Sequence, residues 1–550
     1  MTDRKIVSFQ QDAAFLRARG LKQKRSGNYL DALDLLRRAG EAGDDVWLDL
    51  AEVYADMNCY ADSRAMAAMH IFSHEMDPDA YYRLAKYNME LGALPEAEKA
   101  YGLYLSMAAE GEKADDARED MGDIQMAYGM WKQIDRHTRR KVNRLREVRR
   151  RQVDRDFDGA DRIFEKELAA LPTDSQLRVN RAMNLCLKGD MEAARREIDI
   201  AAKDIAEYPS GIIILAAQVY YRLGDVLRAD QLLALLDRSQ MSVQDLQMLM
   251  ALMADMQRDD QAYLAGSDAL KIRPYDRRML HLMAVTAARM GRDESAVAGF
   301  WQRILRMDPE DDVAQWHLQA QRQGELTADA LFDAYALPNT EQVRRGKQVL
   351  EMLSLSREEM QAAWRQSAVV RRTLHWALFC EKPALVEPAI RLLELTGEPA
   401  AARFLAEFIA RTRLDMGFKL AAAQAIGAMD GQNWPGIAAF MQMQLIPGYQ
   451  DALNGLPVGH RQMVRMAQEV LEKEYGYAAD VALALQCADH LQNCAGGFDR
   501  MRDLRCAAGA LAYYELHLAG KAPDMKDVAR KFRCSPRKLK YYAACLTDKE

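Results

Sequence analysis

The stretch Gly27-Asn28-Tyr29-Leu30-Asp31-Ala32-Leu33 decides how this chain is read, because it comes back. It returns as Gly92-Ala93-Leu94-Pro95-Glu96-Ala97, as Gly189-Asp190-Met191-Glu192-Ala193-Ala194 and as Gly224-Asp225-Val226-Leu227-Arg228-Ala229. A further copy is Gly291-Arg292-Asp293-Glu294-Ser295-Ala296. A glycine that ends one helix, followed five residues later by an alanine inside the next, at a register of roughly 34 residues, is the mark of helical-hairpin repeats. Such units bury their apolar faces only against their neighbours and present an extended concave surface.

Each repeat position has a mechanical reason. A small residue on the first helix, helix A, lets its partner helix B approach, and aromatic residues fill the space beside it. Glycine ends helix A because a residue without Cβ adopts the left-handed cap at no steric cost. The second unit shows Trp47, Leu50, Ala51 and Tyr54 on helix A; the third shows Tyr81, Leu84 and Ala85, then Ala97 and Tyr101. The sixth has Ala217 and Tyr220 before Gly224 and Ala229, and the eighth has Ala284 before Gly291, Ala296 and Phe300. Pro78, Pro172, Pro274 and Pro309 fall at or just past the ends of helix B, where proline cannot continue a helix. The seventh unit, from Met250 to Pro274, lacks the glycine.

These residues resemble the tetratricopeptide repeat family over residues 11–105 and 139–321, about eight units. The resemblance implies a right-handed superhelix that binds protein or peptide on a concave face built from helix A. Carried over position by position, that face holds Lys24 and Arg25, Glu52 and Asp56, Tyr82 and Lys86, then Ile214, Gln218, Tyr221 and Arg222, and finally His281 and Arg289. The clamp of lysines and arginines that some chaperone-binding relatives use is not in the sequence.

Composition sets outer bounds. With 49% hydrophobic and 28% charged residues, the 550-residue chain is foldable, and its net charge of -6 disfavours whole-protein binding to nucleic acid or a membrane surface. The start, Met-Thr-Asp-Arg-Lys, leads into polar sequence without a signal peptide's apolar stretch. The apolar run at Ile212 to Tyr221 is about ten residues, against ~20 for a membrane span. Eight cysteines without paired spacing suit reduced thiols, so a bacterial-type cytoplasmic protein is expected. The 31 methionines, crowded at Met248, Met250, Met253 and Met256, suit a core filler better than an adaptable binding surface.

The register loosens at residues 105–155, the expected atypical joint. From Arg139 to Arg155 nine basic residues face two acids, while Val142, Leu145 and Val148 fall on one helical face. A solvated helix bridged to Asp115, Asp116 and Glu119 is expected there, with a polyanion site as the alternative. Residues 322–446 keep helical periodicity without the repeat. The pair at 401–412 and 415–429 resembles HEAT-type helix pairs only loosely. Prolines and glycines from Gly431 to Gly459 break the pattern, placing a linker at 447–459 and a separate helical domain at 460–550.

That domain ends in Met525-Lys526-Asp527-Val528-Ala529-Arg530-Lys531-Phe532-Arg533-Cys534-Ser535-Pro536-Arg537-Lys538-Leu539. Val528 and Ala529 pack one helix, and Ser535 caps another that has Pro536 at its first position: a helix-turn-helix pattern. With Ala507-Ala508-Gly509-Ala510-Leu511-Ala512-Tyr513-Tyr514 before it, the unit resembles one cyclin-fold repeat of the general transcription factor B type, though Arg533 stands where a turn glycine is usual. The resemblance implies that Arg530, Arg537, Lys538 and Lys540 could meet nucleic acid, and residues 521–550 hold nine basic residues against four acids.

Catalytic motifs are not found: there is no phosphate-cradling loop and no dinucleotide fingerprint. His70 and His74 lack the intervening glutamate of a metalloprotease. Cys487, His490 and Cys494 with Cys506 read more simply as buried thiols than as zinc ligands. The expectation is an all-α protein: an N-terminal tail at 1–10, a tetratricopeptide-like superhelix at 11–321, HEAT-like pairs and a small C-terminal domain. It is expected to be a non-enzymatic scaffold or adaptor for a protein or peptide, without cofactor, metal or membrane. The alternative is a regulator whose C-terminal unit binds nucleic acid.

Overall fold

The computed structural model describes residues 12–133, 144–145, 147–149, 151–152, 155–326, 336–380, 382–411, 416–429, 434–437, 440–441, 463, 466–467, 470–471, 474–475, 501–518, 523–532 and 534–547. All the regular structure among them is helical. The chain forms two compact units, residues 1–70 with 76–398, and residues 71–75 with 399–550. The division falls at Glu398 and Pro399, inside the segment read as HEAT-like. The tail at 1–10, the linker at 447–459 and the Cys487, His490 and Cys494 set lie outside the described residues, as does Arg533.

The first unit is built from helical hairpins. Three open the array: α1 (Ala13–Arg25) with α2 (Tyr29–Glu41), α3 (Trp47–Asp56) with α4 (Tyr60–Ser73), and α5 (Pro78–Glu90) with α6 (Leu94–Met107). After α7 (Ala114–Gln133), the helical residues around Glu147–Arg149 precede α8 (Phe157–Ala170). Then come α9 (Ser175–Lys188) with α10 (Met191–Ala201) and α11 (Ser210–Arg222) with α12 (Val226–Leu233). The series continues with α13 (Val243–Asp255) and α14 (Asp259–Ile272), then α15 (Arg277–Arg289) and α16 (Glu294–Met307). A lone helix A, α17 (Asp312–Gln323), follows.

One backbone requirement marks every hairpin. The turn between helices A and B contains a residue with positive φ at Gly27, Asn58, Gly92, Arg155, Gly189, Gly224, Gln257 and Gly291, and Gly324 ends α17 in the same way. Glycine takes this conformation freely, asparagine tolerates it, and arginine or glutamine holds it against steric cost. The unit that lacks a glycine therefore keeps its turn, with Gln257 in the glycine's place. Five residues after each of the first seven turns stands a fully buried small residue: Ala32, Ser63, Ala97, Ala160, Ala194, Ala229 and Ala262. Among the described residues no such turn falls between Gly92 and Arg155, where the 20-residue helix α7 follows α6.

The eighth unit departs by one residue. Its helix B is capped by Asp293, two residues after Gly291, where α10 and α12 are capped by Asp190 and Asp225 directly after their glycines. The longer turn rotates helix B, so Ala296 is exposed and Phe300 only half-buried, while Val297 and Trp301 occupy the core. The sequence motif had pointed to Ala296 and Phe300.

In the basic joint, two arginines pair with acids of their own hairpin. Arg144 pairs with the buried Glu167, and Arg151 bridges Glu147 (2.9 Å) and Asp156. Val148 sits in a small core with Ala160, Phe164, Leu168 and Leu177, against which Leu145 packs. Leu145 and Val148 thus anchor this helix, and Arg144 and Arg151 find acids on their own hairpin.

The eighth hairpin returns to the first. Arg306 on α16 pairs with Asp31 (2.5 Å) and Asp34 (2.7 Å) on α2. Arg37 on α2 donates to the carbonyls of Arg306 and Met307, and the Tyr54 hydroxyl also donates to that of Met307. Arg277 on α15 joins Asp62 on α4 (3.1 Å) to Asp308 (2.5 Å), two carboxylates that hold its guanidinium above its ordinary value. Tyr29 and Tyr275 meet edge to face at 6.0 Å. Orphan carbonyls at the end of α16 are thereby satisfied by the first two repeats. The array closes its turn.

Beyond α17, the first unit continues with α18 (Asn339–Met352), α19 (Arg357–Gln366), α20 (Ala368–Phe379) and α21 (Pro383–Thr396). Here α18 packs on both α20 and α21, and α19 packs chiefly on α21, so simple hairpin succession is lost.

The second unit contains α22 (Pro399–Arg411), α23 (Met416–Ala428), α24 (Met501–Leu518), α25 (Met525–Lys531) and α26 (Pro536–Thr547). Its C-terminal core joins Ala507, Ala508, Ala510 and Leu511 of α24 to Val528, Phe532, Leu539 and Tyr542. A Cβ at Gly509 would lie 2.6 Å from Leu539 Cδ1 and 3.3 Å from Phe532 Cγ, so the small-residue helix is what lets the two short helices approach. The turn closes with Cys534 N–H donating to the Ala529 carbonyl at 2.9 Å.

Candidate functional site

Helix A residues form the face on which the sequence places a binding groove, and the first unit ties most of them to the next repeat. Lys24 pairs with Glu52 and lies 3.7 Å from Asp56; Glu52 also accepts from Arg83, which in turn binds Asp79 at 2.6 Å. Burial pushes the Glu52 carboxyl up, but hydrogen bonds from Lys24 and Arg83 more than offset this and hold it below its ordinary value. Lys86 reaches Asp120 at 2.8 Å, and the largely buried Tyr82 ring lies beneath both Lys86 and Lys113. Further along, the Tyr221 hydroxyl donates to the Asp255 carbonyl (2.9 Å), and Arg289 binds Asp259 and the Ala254 carbonyl, both at 3.0 Å. His281 is buried against Asp311 at 3.3 Å, and Ile214 lies in the core.

Individually such partly exposed pairs contribute only about 0–1 kcal/mol. Their effect is to fix the rotation of each repeat on its neighbour. Of the twelve groove positions read from sequence, Arg25, Gln218 and Arg222 make no ion pair or side-chain hydrogen bond among the described residues, and Arg25 and Arg222 are exposed. His70, the other residue weighed for chemistry, has Asp45 3.0 Å from Nδ1 and Asp77 2.8 Å from Nε2.

A cleft that the sequence reading missed opens where the array ends. Gln315, Trp316, Gln319 and Gln323 of α17 form one wall, Glu341, Arg344 and Arg345 of α18 the second, and Val369, Arg372 and Thr373 of α20 the third, around a cavity of about 210 Å³. A second cavity of about 260 Å³ shares Val369 and Thr373 and is lined by Met352, Leu355 and Val370, with Gln348 and Glu351. The first compartment is polar and the second mostly apolar.

The polar walls are held from behind. Arg345 is buried and binds Glu341 (2.9 Å) and Asp312 (2.7 Å); Asp312 also meets His375 Nδ1 at 2.9 Å. Arg344 grips the same Glu341 with two hydrogen bonds of 2.7 and 2.6 Å. Burial raises the Glu341 carboxyl, and the bonds from Arg344 and Arg345 outweigh it, keeping the group ionised and below its ordinary value. Arg372 makes no ion pair among the described residues. The available signals in the sequence were the glutamines at every fourth position, Gln315, Gln319 and Gln323, and the doublet Arg344-Arg345; neither is a repeat-family position.

In the second unit, Arg537, Lys538 and Lys540 are exposed on α26, beside an exposed Tyr541. Arg530 is exposed too, but pairs with Asp527, as does Lys531. No described helix is long and apolar enough to cross a membrane.

No protein-family model and no curated protein matches the chain. Among solved structures, it is similar to the crystal structure of the P58(IPK) TPR domain, with 17% identity over 70% of this chain and 99% of that one, at a TM-score of 0.22. It is also similar to the structure of Naa15/Naa10 bound to HypK-THB, with 13% identity over 98% of this chain and 80% of that one, at a TM-score of 0.25. At these TM-scores neither likeness carries a conclusion about this chain.

Proposed function

We propose that the protein is a non-enzymatic interaction scaffold that binds a protein or peptide on the helix A face of its array. The observation that supports this most is the division of labour along that face: inter-repeat ion pairs fix the repeats, and cations such as Arg25 and Arg222 stay exposed with no ion pair or side-chain hydrogen bond among the described residues. A pre-organised surface loses little freedom on binding, which is what an extended docking face needs. The test is affinity capture with the purified full chain, comparing wild type with Arg25→Glu/Arg222→Glu. A stoichiometric protein partner lost in the variant is expected; a chain that captures nothing would refute the reading.

A second reading has its own support. The exposed Arg537, Lys538 and Lys540 on α26, with Tyr541 beside them, offer charge and a stacking ring to nucleic acid. Binding is expected to be weak, because the whole chain carries a charge of -6. A gel shift with mixed DNA and RNA at ~150 mM salt, comparing wild type with Arg537→Glu/Lys538→Glu, separates the readings. Sub-micromolar binding abolished by the two changes would make the protein a nucleic-acid-binding regulator.

A further inference from the structure

We infer that the two-compartment cleft between α17, α18 and α20 is a second peptide site, selective for an extended segment that carries an acidic side chain close to an aliphatic one. The inference rests on the scaffold reading and adds the chemistry of a ligand.

The polar compartment has three guanidinium groups, and their acids are already shared. Glu341 serves both Arg344 and Arg345, and Asp312, behind the wall, serves Arg345 and His375. Arg372 has neither, and the remaining acid of that compartment, Glu325, is exposed at its rim without an ion pair among the described residues. A carboxylate entering beside Arg372 therefore gains a charge-assisted hydrogen bond without displacing an existing one. The side-chain amides of Gln319 and Gln323 stand on the opposite wall, one helical turn apart, where they can pair with peptide N–H and C=O groups.

The apolar compartment sets the second anchor. Val369 is 43% exposed where the two cavities join, and Leu355 and Val370 complete an aliphatic lining next to Met352. Val369 and Arg372 are three residues apart on α20, about 4.5 Å of helix rise at 1.5 Å per residue, so the apolar and cationic anchors adjoin in one cleft. An extended peptide advancing ~3.3 Å per residue can place an acidic side chain beside Arg372 and an aliphatic one at Val369. Glu351 at the rim of the apolar compartment disfavours an acid there and so separates the two kinds of side chain.

The test uses the full-length protein and fluorescence anisotropy with a fluorescein-labelled, C-terminally amidated peptide, Gly-Ser-Glu-Ala-Ala-Leu-Ser-Gly. One control peptide replaces its Glu with Gln and another its Leu with Ser. The Glu peptide should bind roughly tenfold tighter than the Gln peptide, the size of one charge-assisted hydrogen bond. Arg372→Gln should remove that difference, Glu325→Gln should tighten the Glu peptide severalfold, and Val369→Ser should erase the preference for Leu. Arg372 and Val369 are not core residues, and an unchanged melting curve verifies that the variants are folded. Equal binding of all three peptides, no effect of Arg372→Gln, or no binding at millimolar peptide overturns the inference. If it fails while a partner captured by the full chain is still lost in Arg25→Glu/Arg222→Glu, the scaffold reading survives without this site.

Discussion

The repeat array and the C-terminal helices α24 to α26 solve the same problem, bringing short helices close together, with glycine in different roles. In the array, glycine acts through the backbone: it turns the chain at positive φ, and nothing lies within 4 Å of a Cβ placed at Gly27, Gly92, Gly189 or Gly224. In the C-terminal unit, glycine acts through its absent side chain, and a Cβ at Gly509 would strike Leu539. The first role can be filled by another residue at a modest cost, as Asn58, Arg155 and Gln257 demonstrate; the second cannot without moving a helix. Substitution therefore discriminates between the two.

The largest effect is expected at Trp301, fully buried in the eighth hairpin and stacked on His317 at 5.1 Å. Trp301→Ala should cost ~3–5 kcal/mol in urea unfolding. Hydrogen exchange should place the loss in residues 243–323 and, through the closing contacts, in α2, since repeats couple mainly to their neighbours. Acid should reveal the same spot. Both ring nitrogens of His317 are buried without a hydrogen bond, and burial, aided by His281 and opposed by Asp311, pushes its pKa down to about 4. A folded value below the unfolded ~6.5 means that the stabilisation is complete above pH ~6.5 and is lost as pH falls toward 4, by up to about 3 kcal/mol. In His317→Phe this segment of the pH–stability curve should flatten; an unchanged slope would show that His317 is hydrated or paired in solution.

Gly509→Val should destabilise the C-terminal unit by ~1–3 kcal/mol through overpacking. Gly224→Ala, with φ at 77° and open space around it, should cost only about 1 kcal/mol. The reverse change, Gln257→Gly, should be neutral or raise stability by a few tenths of a kcal/mol, as left-handed strain is relieved against a more flexible unfolded chain. Thermal melts of these three variants sharpen the comparison. A Gly224→Ala penalty as large as that of Gly509→Val would mean that the array turns are packed as well as twisted.

Much of the array was legible because its code is backbone-level and recurs. The hairpins, the buried alanines at Ala32, Ala97, Ala194 and Ala229, and the small residues of α24 could all be read in one dimension. The eighth unit was misread by one position because the motif is anchored on glycine, and the cap that sets the rotation of helix B moved to Asp293. Groove residues were harder. Sequence position puts Lys24 and Lys86 on helix A, but it cannot say that Glu52, Asp56 and Asp120 are their partners, because those pairings join different elements. The Gln315 to Arg372 cleft was missed for a related reason: its three walls are separate helices outside the strict register. Closure of the array was invisible too, since Asp31 and Arg306 are 275 residues apart and nothing in the repeat motif that holds Asp31 points to Arg306.

That closure is tested most directly by carbodiimide coupling in the full-length Arg306→Lys variant, which puts an amine where the guanidinium meets Asp31 and Asp34. A zero-length carboxylate–amine link should form between position 306 and Asp31 or Asp34, within single chains, at a yield comparable to the native Lys86–Asp120 pair at 2.8 Å. Efficient linkage at Lys86–Asp120 with none at position 306 would contradict closure and leave the eight hairpins as an open superhelix.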